Sequence, residues 1–156
     1  MTKLKKIFIL PGLFLFFLSC GYTPISSKRD VNFSIENIKF LGNKDVKEKI
    51  NQILSSYKNK PDKGKKISLI ITNLKNITIV SKNSKGEAQT NKISVDVNVK
   101  IILAENRIVD KNFSKSSVYD IIDRKSEQKL IENKLIEDLS SEIAQQIILE
   151  ILENTK

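Results

Sequence analysis

The chain holds one thiol and no imidazole. Cys20 is its only cysteine, and histidine is absent from all 156 residues. A thiol can act as a nucleophile, ligate a metal, close a disulfide or accept a lipid, and its surroundings decide which. Here Met1-Thr-Lys-Leu-Lys-Lys is basic, and Ile7 to Leu18 is an apolar run interrupted by Pro11 and Gly12. Ser19 then gives a small residue at the break, which completes the pattern of a secretory signal peptide. The apolar run is twelve residues, well short of the about 20 that a helix needs to cross a bilayer. Leu18-Ser19-Cys20-Gly21 looks like a lipobox, where a bacterial signal peptidase cuts before a cysteine that carries diacylglycerol. Phe17 and Leu18 depart from it, since an aliphatic and a smaller residue are usual there. On this reading residues 1–19 are removed and Cys20 becomes a lipidated, palmitate-bearing N-terminus. The competing readings are a plain secreted protein and an uncleaved anchor.

The same counts exclude chemistry. A lone cysteine makes no internal disulfide, so an exported body must be held by core packing alone. Without histidine there is no Ser-His-Asp or Cys-His system, and the commonest general base at neutral pH is missing. Zinc sites lose their usual ligands too. Five glycines form no phosphate-cradling loop. A carboxylate pair could still hydrolyse a glycoside. Many of the 18 acidic residues are instead scattered over the faces of predicted helices, the usual solvated position, and nothing places two together in a strand-end or loop context. The expectation is a protein that is not an enzyme, with no catalytic residue, metal or cofactor.

The formal charge is +9, and Lys3, Lys5 and Lys6 contribute to it from within the signal peptide. The remaining excess suits an anionic partner such as an acidic membrane surface or a phosphorylated glycolipid. Export argues against nucleic acid. A composition rich in Lys, Asn and Ile would give the same charge with no anionic ligand at all.

Residues 20–30 read as a lipidated N-terminus and tether, containing Pro24 and small polar residues. Residues 31–156 read as a single α+β domain. Val31, Phe33 and Ile35 alternate with polar residues, and Ile38 and Phe40 resume out of phase, which predicts a strand with a bulge. Asn43 suits an N-cap. Behind it Val46, Ile50, Ile53, Leu54 and Tyr57 recur at helical spacing, predicting about four turns. A strand is predicted from Lys65 to about Val80, with Ile67, Leu69 and Ile71 and then Ile77-Thr-Ile-Val80. A turn comes next at Ser81–Gly86. Ile93, Val95, Val97, Val99, Ile101 and Leu103 give the clearest alternation in the chain. Ile108 to Tyr119 is a weaker strand carrying Val109, Phe113 and Val118. A helix from about Ser126 to Glu153 carries an apolar stripe from Ile131 to Leu152 and a face of Glu142, Gln145, Gln146, Glu150 and Glu153. The order β-α-β-β-β-α predicts a two-layer sandwich, with two helices packed on one face of a four-stranded, mainly antiparallel sheet.

A lipoprotein beginning Cys20-Gly21-Tyr22 and continuing in this order resembles the lipopolysaccharide-assembly lipoprotein family, LptE. Ile79 to Thr90 through Val95 to Lys100 is similar to that family's central hairpin, and Arg124-Lys-Ser-Glu-Gln128 is similar to the start of its last helix. The resemblance implies a subunit of the lipopolysaccharide translocon, lipid-anchored at the periplasmic face of the outer membrane. There it would assist assembly of the LptD-type β-barrel, plug it, and contact lipopolysaccharide. By motif, the lipid contacts fall on Lys82 or Lys85 and on Arg124 or Lys125. Lysine and arginine bind phosphate through charge-assisted hydrogen bonds, and a helix N-terminus adds favourable potential. The bland reading is that these side chains are simply solvated, as is the cluster Lys58, Lys60, Lys63, Lys65 and Lys66. The alternative function is a free-standing envelope lipoprotein that binds anionic lipid or glycan.

Protein recovered from a Gram-negative host should begin at Cys20 and carry the added mass of acyl chains. Cys20→Ala should abolish both, as read by intact-mass spectrometry.

Overall fold

The computed structural model describes residues 31–60, 64–103 and 107–156. The signal peptide, Cys20 and the tether lie outside the described residues, as does Lys63 of the basic loop. The described elements are β1 (Phe33–Gly42), α1 (Lys44–Leu54), a 3₁₀ turn (Ser55–Tyr57), β2 (Lys65–Lys82), β3 (Ala88–Ile102), β4 (Ile108–Asp120) and α2 (Lys125–Asn154). This is the expected order.

Strand order matches chain order, β1-β2-β3-β4. The α1 crossover makes β1 and β2 parallel, and hairpins make the other two pairs antiparallel. The bulge in β1 falls between Ile35 and Asn37. It lets Phe33 and Ile35 bury fully while Ile38 and Phe40 still reach the same core.

Both helices lie on the face to which β3 points Ile93, Val95, Val97, Val99 and Ile101, all buried. Ile67, Leu69 and Ile71 of β2 join them, with Val46, Ile50 and Leu54 of α1 and Ile136, Ile143, Ala144, Ile147 and Ile151 of α2. Burying each large aliphatic side chain contributes roughly 1.5–3 kcal/mol, so this single layer carries the stability. The helix of α1 is shorter than its apolar spacing suggests. It ends at Leu54, and Tyr57 belongs to the 3₁₀ turn, where its ring stacks on Phe33 at 5.6 Å. The turn brings the chain back to β1, where the Lys60 N–H donates to Ser34 Oγ at 2.8 Å.

The junction from β1 into α1 is built around Asn73, a polar residue buried among aliphatics. Its Oδ1 accepts from the Asn43 N–H at 2.8 Å, and its Nδ2 donates to the Leu41 carbonyl at 3.3 Å. Asn43 in turn caps α1, its Oδ1 accepting from the N–H groups of Asp45 and Val46. Between them Gly42 has φ +113°, and a Cβ there would lie 2.0 Å from the Asn73 carbonyl oxygen. Only glycine fits this corner.

Because β1 stops at the Gly42–Asn73 pair, the remainder of β2 runs on without it. On this stretch Ile77 and Ile79 are exposed on the helix-side face, and Leu74 and Val80 are exposed as well. The strand does run through Ile77–Val80, as the sequence predicts, and neither helix covers that part. Val118 is likewise exposed on the far face, and the neighbouring Tyr119 takes the inward place.

Ile143→Asp should abolish cooperative folding, because an unpaired charge in this layer costs several kcal/mol. Loss of the thermal transition by circular dichroism is the check.

Candidate functional site

The β2–β3 turn is made rigid by Asn83. Its Oδ1 accepts from the N–H groups of Lys85 and Glu87 at 2.9 and 3.0 Å, and its Nδ2 donates to the Glu87 carboxylate. Gly86, at φ +83°, supplies the left-handed residue the turn requires. Lys82 and Lys85 are carried on this frame, both exposed.

The start of α2 comes to the base of the same hairpin. Thr90 is in register with Asp120, and the Ile121 N–H donates to the Gln89 carbonyl at 2.9 Å. Residues 122–124 then lead directly into the helix. The structure thus brings Lys82, Lys85, Arg124 and Lys125 to one end of the sheet, although 39 residues separate Lys85 from Arg124. They are not equivalent there. The Arg124 guanidinium is engaged by the Glu127 carboxylate one turn on, so an incoming anion must compete for it. Lys82, Lys85 and Lys125 make no ion pair among the described residues. Arg124 also sits at the N-cap without a side-chain cap bond, leaving first-turn N–H groups directed at this end.

A polar cluster that sequence reasoning missed fixes the arrangement. The Tyr119 hydroxyl donates to Glu132 Oε1 at 2.8 Å. Gln128 donates to the same oxygen at 3.1 Å and accepts from the Ile122 N–H at 3.0 Å. Three elements are joined here: the end of β4, the connection, and the first turns of α2. Burial of the ring, and next the Glu132 carboxylate beside it, hold the Tyr119 phenol above its ordinary range. The only signal in the sequence was an aromatic residue breaking the apolar pattern of a weak strand.

Further along, α2 runs back beside β4. Lys115 pairs with Glu142 and Lys111 with Glu150, both at 3.1 Å, and Arg107 donates to the Asn154 carbonyl at 2.9 Å. Part of the helix's acidic face is therefore turned onto the sheet. The middle of the opposite face, on β3 and β4, carries a lattice of short polar side chains, with Leu74, Ile108 and Val118 exposed around it. Asn98 Nδ2 donates to Asp110 at 2.6 Å and to Asn112 at 2.9 Å, and Ser114 donates to Asp96 at 2.5 Å. This face meets solvent with its own hydrogen bonds already made.

No known family profile matches the sequence, and no curated protein matches it. Solved structures do match the fold. Rare lipoprotein B from Shewanella oneidensis superposes with a TM-score of 0.56 at 13% identity, covering 76% of this chain and 96% of that one. Lipoprotein B from Nitrosomonas europaea gives 0.56 at 14% identity, over 85% and 93% of the two chains. A minor lipoprotein from Acinetobacter baumannii gives 0.51 at 12% identity, over 75% and 95%. The fold is therefore one that bacterial lipoproteins use, as the resemblance implied. Identities this low carry no residue role across.

Among the described residues, no group of three or more acidic, histidine or cysteine side chains could hold a metal, and no helix is long and apolar enough to cross a membrane. An open groove of about 440 Å³ lies between α1 and α2, lined by Asp45, Glu48 and Glu137 with Lys49. Its sign is wrong for an anion.

Tyr119→Phe should lower stability by about 1 kcal/mol, the net worth of one hydrogen bond. A phenol whose folded value is raised contributes fully below its unfolded value of about 10. The contribution is lost as pH rises through the folded value. The mutant's deficit in urea denaturation should therefore be constant from pH 7 to 9 and shrink above pH 10.

Proposed function

We propose that this protein is a non-catalytic, lipid-anchored subunit of the bacterial outer-membrane machinery that exports lipopolysaccharide. Cys20 holds it at the periplasmic face, its body seats inside and assists assembly of an LptD-type β-barrel, and its basic end contacts lipopolysaccharide. The carrying observation is the convergence of the hairpin turn and the α2 start at one end. These are the two stretches that the resemblance to LptE marks for lipid contact. Chemistry supports the match. Lipopolysaccharide presents phosphates beside acyl chains. This end presents Lys82, Lys85 and Lys125 beside exposed Ile79, Ile121 and Leu130. The polar outer face of the sheet supports the plug, because the interior of a large outer-membrane barrel is hydrated and polar. The polar side chains at its middle bond one another, so they can face a wet wall without stranded hydrogen-bonding groups.

The same mixture of cations and apolar side chains also favours a second reading, a free-standing lipoprotein that binds anionic lipid without a barrel. Purification separates the two. The first requires the acylated protein to co-purify with a large β-barrel from detergent-solubilised outer membrane. The second requires it to come away alone and bind anionic vesicles with an affinity that falls steeply as salt rises.

Lys85→Glu combined with Arg124→Glu should weaken lipopolysaccharide binding tenfold or more, about 1.4 kcal/mol, and leave the melting temperature unchanged. Both positions are exposed, so the fold tolerates the change. Unaltered binding by the double variant would remove these residues from the site.

A further inference from the structure

The overhang of β2 leaves a backbone edge without a neighbour. From Leu74 to Lys82 the strand pairs with β3 on one side, and among the described residues nothing pairs on the other. A nine-residue edge is about 30 Å long. Sheet edges of this length are normally protected by proline, by inward charge or by a covering element. None of the nine residues is proline. Lys75 is drawn away to Asp45 at 3.4 Å. The strand's register irregularities lie only at its far end, between Ile79 and Lys82. In between, Ile77 and Ile79 present side chains on the helix-side face, 44% and 55% exposed.

We propose that this edge receives an extended segment of a partner polypeptide as an added strand. The backbone of β2 would supply the hydrogen bonds, and alternate apolar residues of the segment would lie against Ile77 and Ile79. Charge sets the flanks. Lys82 and Lys85 stand at one end of the edge, and at the other Lys75, whose ammonium an incoming carboxylate would share with Asp45, so the segment carries acidic residues at its ends. Charge also disfavours a second copy. Antiparallel self-pairing centred on Thr78 would bring Lys82 of each copy against Leu74 and Lys75 of the other, placing like charges together. The described chain itself enters and leaves at the opposite end of β2. Phe33 pairs with Lys65, and the Lys65 ammonium donates to the Lys156 carbonyl at 2.8 Å. Strand addition at this edge shares Ile79, Lys82 and Lys85 with the proposed lipid contact, and it does not require the partner to be a barrel.

Amide hydrogen exchange on the full chain in neutral detergent tests this. The probe is a ten-residue peptide of alternating valine and threonine with two aspartates at each end. Its control is the same core ended by lysines. The aspartate-ended peptide should slow exchange within residues 74–82 about tenfold or more, and the lysine-ended peptide should slow it far less. Ile77→Lys with Ile79→Lys should lose the effect while the core amides of β3 and α2 stay protected. No slowing, or equal slowing by both peptides, overturns the proposal. So does protection that grows with protein concentration alone and accompanies a dimer in sedimentation, which assigns the edge to self-pairing. Protection by anionic vesicles but not by peptide assigns it to a membrane surface and overturns the proposal equally.

Discussion

Asn73 sits where a parallel pair of strands has to end, and its amide side chain bonds both the Leu41 carbonyl of β1 and the Asn43 N–H of the turn into α1. A buried amide left without partners would cost about 1–3 kcal/mol, so the two bonds define the corner rather than decorate it. Gly42 closes it, since any side chain would strike the Asn73 carbonyl. The corner fixes where α1 begins, and therefore how much of β2 lies under the helices. The part of β2 before Asn73 belongs to the core, and the part from Leu74 onward projects beyond β1.

That division separates stability from binding. One apolar layer, from Phe33 and Ile67 to Ile151, holds the sheet to the helices. The projecting hairpin adds little to this layer beyond Ile93 and Val95 of β3. It is held straight instead by the Asn83 turn and by the Tyr119–Glu132–Gln128 cluster at its base. Exposed ion pairs such as Lys44–Glu48 and Lys134–Asp138 are each worth little. The projecting end is therefore free to carry cations, apolar side chains and an open strand edge together, a combination that a solvent-facing surface needs for no structural reason.

Much of the fold was legible because one-sided burial writes a period into the chain. The alternation from Ile93 to Leu103, the phase slip in β1 and the Asn43 cap each appear in the structure where the pattern put them. The order and parallel sense of the strands were not legible, because periodicity reports which face is buried and not which neighbour is paired. The exposure of Ile77–Val80 was not legible for a related reason. Aliphatic residues mark a strand whether or not a helix covers it, and coverage depends on where a different strand stops. The basic positions were readable as types. Their convergence was not, and neither was the Arg124–Glu127 pair that occupies one of them. Nothing in the strand pattern marks Lys111 and Lys115, which α2 meets with Glu150 and Glu142.

The division of the molecule requires the cooperative core to end at the Asn73 corner. Native-state hydrogen exchange on the isolated protein in increasing denaturant measures this directly. Amides of residues 67–73, 95–101 and 136–151 should exchange only through global unfolding, and those of 74–90 through a smaller local opening that leaves the core intact. Equal protection across both sets, merging into one unfolding event, would contradict it.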